Sequence, residues 1–149
     1  MALSITIQDI QQYEPNILEY GIDDFNTELS LAARDVEREL RIKWYPTQQI
    51  GRYDITLVGT YSEMDADLLT ASQFTRAVVY YALGYHIMPK LSTFTVEEDI
   101  FERKMKYYRE EWTREWHSVL QDGVEYDRDQ SGTISNTEKE SQNFLRLKR

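Results

Sequence analysis

From Asp24 to about Lys43, Phe25, Leu29, Ala32, Ala33, Val36 and Leu40 recur at steps of three and four residues, with polar side chains between them. That period puts the apolar positions on one face and predicts an amphipathic helix. Asp23 and Asp24 stand where anionic side chains favour a helix start, and Pro46 is expected to end it. A second helix is predicted from Asp65 to about Ile87, burying Leu68, Leu69, Phe74, Val78, Val79, Ala82 and Leu83. Its run Ala77–Leu83 is apolar nearly all round, as in a helix central to its bundle. Pro89 is expected to terminate it. The third long helix has a capping box at Thr95-Val96-Glu97-Glu98, and it should run to about Leu120. Its apolar positions Phe101, Met105, Tyr108, Trp112, Trp116 and Val119 form a narrow stripe, close to a coiled-coil seam.

The remaining segments are shorter. Residues 1–22 carry Ile5, Ile7, Ile10, Ile17 and Leu18 in pieces broken by Pro15 and Gly21, and Pro15 suits the first turn of a short helix ending near Tyr20. Tyr53–Val58, bounded by Gly51 and Gly59, reads as a short strand that needs a partner elsewhere in the chain or in another subunit. After Gly123 the composition turns polar. The expected fold class is therefore mainly α: a small helical bundle of about four to five helices, with a short extended or β arm. The division is an N-terminal segment 1–22, a helical core 23–122 and a C-terminal arm 123–149.

Composition narrows the chemistry. With no cysteine, disulfides, thiolate metal sites and cysteine nucleophiles are excluded. Seventeen basic against twenty-six acidic side chains give a net charge of -9, the wrong field for gripping phosphate backbones. The longest apolar stretch, Ala77–Met88, is far short of the ~20 residues of a bilayer span, and the N-terminus lacks the basic start of a secretory signal. No membrane partner is expected. Neither His86 nor His117 is assigned a role, and Glu115-x-His117 lacks the spacing of a carboxylate-bundle metal site. With no phosphate loop and no nucleophile elbow, no enzyme is expected.

One stretch carries chemistry. Asp127-Arg128-Asp129-Gln130-Ser131-Gly132-Thr133-Ile134-Ser135-Asn136-Thr137-Glu138 matches the twelve-residue calcium loop of EF-hands. Asp127, Asp129 and Ser131 would give side-chain oxygens at positions 1, 3 and 5, and the Thr133 carbonyl a ligand at position 7. Ser135 would serve at position 9, and Glu138 would close the site at position 12, a structural Ca2+ being the candidate cofactor. The same residues also form an Asx-turn and a second capping box, Ser135-x-x-Glu138, with no ion required. The entering helix of an EF-hand is missing, because Gly123 breaks it and Val124-Glu125-Tyr126 reads as extended.

The order of these elements resembles the head–tail connector (adaptor) proteins of tailed bacteriophages. The resemblance runs over the helix Leu29–Leu40, the run Ala77–Gly84, the charged aromatic helix Phe101–Trp112 and the tail Gly123–Gly132. It implies a structural virion protein of the neck, assembled in the bacterial host cytoplasm. It implies a self-associated ring, a dodecamer in that family's pattern, between the portal protein and a stopper or other neck or tail protein. DNA would pass through without specific binding. The C-terminal tail would dock on the portal through Tyr126, Asp127, Ile134, Arg146, Lys148 and Arg149, while Trp112 and Trp116 would serve packing or subunit contact. A soluble calcium-binding module, centred on the 127–138 loop, is the alternative from another class.

Overall fold

The computed structural model describes residues 2–46, 64–92, 99–136 and 138–139. The strand expected at Tyr53–Val58, the capping box Thr95–Glu98 and the basic end Arg146, Lys148 and Arg149 lie outside those residues. Among the described residues the chain is a helical bundle with no strand. Its helices are α1 (Ile7–Gln11), α2 (Asn26–Glu39), α3 (Ala71–Ala82), the single turn α4 (Met88–Leu91) and the long α5 (Ile100–Asp122).

α3 packs between α2 and α5, the central position its all-round apolar sequence predicts. Phe74, Ala77, Val78, Val79, Ala82 and Leu83 are all buried there. α2 contributes Leu29, Ala32, Ala33, Val36 and Leu40, and α5 contributes Met105, Tyr108, Trp112, Trp116 and Val119. Both sets are the stripes read from periodicity, apart from Phe101, which is only half-buried. Trp112 and Trp116 pack inside the chain's own core, at ring centroids 5.3 Å apart.

Three boundaries differ from the sequence expectation. The second helix starts at Ala71 rather than Asp65, because Leu69 is drawn into an antiparallel bridge with Tyr126. Leu68 and Thr70 exchange backbone hydrogen bonds with Asp127 and Glu125, which leaves Ala66–Leu68 as a single 3₁₀ turn. The third long helix starts at Ile100, not Thr95, and its N-cap is Asp99, whose carboxylate accepts the Glu102 N–H at 2.8 Å. Pro89 does not stop the second helix, which passes through a π turn, Leu83–Ile87, into α4. A proline withholds an N–H from the preceding turn, and here the Gly84 carbonyl of that turn accepts Arg109 Nε at 3.0 Å instead. The same Gly84 lets α5 approach closely: a Cβ there would stand 3.0 Å from the Arg109 backbone nitrogen.

α2 also ends in a π turn, Leu40–Trp44, where Tyr45 N–H bonds back to Leu40 C=O. The extra residue in that turn sends both Leu40 and Trp44 into the core and leaves Ile42 outside, 61% exposed.

The N-terminal segment is integral to the bundle. Thr6 N–H donates to Asp9 Oδ2 at 2.8 Å, starting α1, and Ile10 and Ile17 are fully buried. The short helix expected before Tyr20 is a 3₁₀ turn, Ile17–Tyr20. Between these two elements Glu14 is buried, its oxygens accepting Tyr108 Oη at 2.7 Å and Lys104 Nζ at 2.8 Å. That triad ties residues 1–22 to α5.

Candidate functional site

The C-terminal arm leaves α5 at Gly123 and is rooted before it reaches the motif. Gly123 has φ 100, and an added Cβ would lie 2.6 Å from the Lys139 carbonyl oxygen, so the position admits only glycine without rearrangement. The Gln73 side chain then serves as a short stretch of strand. Its Nε2 donates to Gly123 C=O at 2.7 Å, and its Oε1 accepts Glu125 N–H at 2.9 Å. Val124 and Tyr126 point into the core. The Tyr126 ring meets Trp44 and Tyr45 edge-on, both at 5.8 Å, and its hydroxyl accepts Asp65 N–H at 3.1 Å. The base of the arm, Gly123–Tyr126, is thus anchored to the bundle. Tyr126, expected among the partner-docking residues, is 3% exposed and fills the space beside Trp44 and Tyr45 of the same chain.

Beyond Tyr126 the chain closes into a loop cinched by carboxylates. Asp127 Oδ1 and Oδ2 accept Ser131 N–H at 3.0 Å and Gly132 N–H at 2.9 Å, and Asp129 Oδ1 also accepts Ser131 N–H at 3.0 Å. Ser131 Oγ donates to the Thr133 carbonyl at 3.0 Å. Gln130 at φ 57 and Gly132 at φ 83 make the sharp turn that the glycine predicts. Glu138 spans the loop: Oε1 accepts Asp129 N–H, and Oε2 accepts both Ser135 N–H and Ser135 Oγ–H. The Ser135 and Asp129 amides hold its carboxyl below the usual range, against the opposing effect of burial. Lys139 then pairs with Glu125 at 3.1 Å and Asp122 at 3.4 Å, fastening the far end of the loop to its entrance.

Carboxylate oxygens from Asp127, Asp129 and Glu138 lie within 4.8 Å of one another. Three acidic groups, with the Ser131 hydroxyl and Thr133 carbonyl beside them, form a set of hard oxygen donors suited in kind to calcium. The motif positions are therefore brought together as the spacing predicts, and Ile134 sits half-buried between exposed neighbours. The amides also satisfy the same carboxylates, so the loop holds its shape by its own hydrogen bonds.

Sequence reasoning missed Gln73 and Glu14. A glutamine in the first turn of an apolar helix, or a glutamate beside a proline, carries no local signal of a partner fifty or ninety residues away. Comparison with protein-family models, curated proteins and solved structures gives no match for this chain. Among the described residues no helix is long and apolar enough to cross a membrane.

Proposed function

We propose that this chain is a structural virion protein, a head–tail connector that forms a ring between a portal and the next neck or tail protein. The observation that supports the reading most is the rooted arm. Val124 and Tyr126 lock its base into a helical bundle, and the loop 127–138 is closed by its own carboxylates at the surface. A protein that joins two larger assemblies needs such a firmly rooted surface loop, and needs no catalytic cleft. In this reading the exposed loop and the basic end Arg146, Lys148 and Arg149 meet the portal, and DNA passes the ring without being gripped. Residues 1–64 hold five basic and eleven acidic side chains, and acidic groups facing a channel would repel phosphates and let the duplex slide.

The test is co-purification with the portal protein encoded in the same genome. The full chain should co-elute with the portal, and reversing Arg146, Lys148 and Arg149 to glutamate should abolish co-elution while the helical circular dichroism stays unchanged. A wild-type chain that never associates with the portal overturns the proposal.

The carboxylate cluster favours a second reading, a calcium-binding module with Asp127, Asp129 and Glu138 at its centre. Calorimetric titration with calcium decides it. A bound ion raises stability by about 2.7 kcal/mol at a hundredfold excess over its dissociation constant, and Asp127→Asn should remove both the heat and the stabilisation. Absence of heat at millimolar calcium leaves the loop as a hydrogen-bonded turn.

A further inference from the structure

The outer face of α2 and its π turn carries Leu31, Arg34, Arg38, Arg41 and Ile42, a basic stripe with an exposed apolar residue at each end. Leu31 is 41% and Ile42 is 61% exposed. Arg38 is paired with Asp35 on its own helix, whereas Arg34 and Arg41 hold no ion pair among the described residues. Alongside the stripe, residues 2–5 and α2 border a groove of about 340 Å³ lined by Leu3, Ile5, Leu29, Ala33, Arg34 and Glu37. The turn that precedes α2 has the opposite character. Glu19, Asp23 and Asp24 are exposed there, with Tyr20 39% exposed among them and no ion pair to any of the three acids among the described residues.

We propose that the acidic turn Glu19–Asp24 of one copy docks on the Leu31–Ile42 stripe of a second copy. The assignment rests on complementarity: three exposed carboxylates with no ion pair among the described residues, of which Asp24 accepts the Asn26 N–H at 2.7 Å, face two guanidinium groups likewise without an ion pair, beside apolar side chains and a groove. The two patches are different surfaces of one chain, so the contact is heterologous, and each copy keeps one free donor and one free acceptor patch for the next. Copies at net charge -9 repel at long range. At about 0.15 M salt, screening over roughly 8 Å damps that repulsion and leaves contact pairs in force. The proposal rests on the ring reading above and names the self-contact that would build the ring.

Charge exchange tests it with two full-length variants, Asp23→Lys/Asp24→Lys and Arg34→Glu/Arg41→Glu. Their masses are measured by light scattering, alone and with the portal, beside the wild type. The wild type should exceed the dimer mass. Each variant by itself should stay monomeric at ten times the concentration at which the wild type assembles. An equimolar mixture of the two should recover assembly, since the reversed turn of one matches the reversed stripe of the other. Variants that assemble like the wild type overturn this contact while leaving the connector reading intact. So does a stripe variant that only loses retention on duplex DNA, since the stripe would then serve nucleic acid. A wild type that remains monomeric and fails to bind the portal overturns both.

Discussion

Glu14 is the residue on which the N-terminal segment depends. Its carboxylate accepts the Tyr108 hydroxyl and pairs with Lys104, and it is buried as the chain crosses α5. Leaving the phenol without that partner costs about 1–3 kcal/mol, so Glu14→Ala should lower the melting temperature by several degrees, and Tyr108→Phe by less. Differential scanning calorimetry of the two variants and their double mutant measures the coupling. Burial raises the Tyr108 pKa strongly, with Glu14 adding to the rise, and burial also raises Tyr80, Tyr81 and Tyr126. A raised folded-state pKa gives stability that is complete below the ordinary tyrosine value of 10.0 and is lost as the unfolded chain ionises above it. The melting temperature should therefore fall from about pH 10 upward, and less steeply in Tyr108→Phe. Glu138 has the reverse sign. Its carboxyl is held low by the Ser135 and Asp129 amides, so the closure of the loop weakens as pH drops through 4.5 and below. The protection factor of the Ser135 amide, taken relative to the intrinsic exchange rate at each pH, should fall there while those of amides in α3 do not.

At the scale of elements, close approach of α5 to the π turn that follows α3 runs through Gly84. Its carbonyl holds Arg109, whose guanidinium lies 4.6 Å from the Tyr85 ring centroid. Gly84→Ala forces a Cβ against the α5 backbone and should cost about 1–3 kcal/mol by overpacking, read as a shift in the urea midpoint. Periodicity made the three main helices and nearly all their buried positions legible, since burial on one face is a local pattern. Their ends were less so. Leu69 has the right spacing for a helix, but a backbone partner on the arm takes it into a bridge. Thr95 and Glu98 form a capping box in sequence, yet Asp99 is the cap that the structure uses. Pro89 is a breaker only where the preceding turn needs its N–H, and the π turn with Arg109 removes that need. The loop 127–138 was the most legible part of the site, because every constraint in it spans twelve residues or fewer. Its anchoring by Gln73, Trp44 and Tyr45 was not, since those contacts cross between elements distant in the chain.

For the molecule as a whole, the acidity first read as an exclusion acquires a distribution. An acidic turn precedes α2, a basic stripe lies along it, and the carboxylates of the arm are turned inward onto amides. The N-terminal segment is tied into the bundle by Glu14, and the base of the arm is rooted in it by Val124 and Tyr126. On the proposed reading those features belong to a joining part. The most direct test of that claim is the native mass of the full chain mixed with the portal protein of its own genome. The connector reading predicts one discrete complex that carries many copies of this chain on each portal. Separate peaks, with this chain at its monomer mass of 17.7 kDa at every ratio, would contradict it.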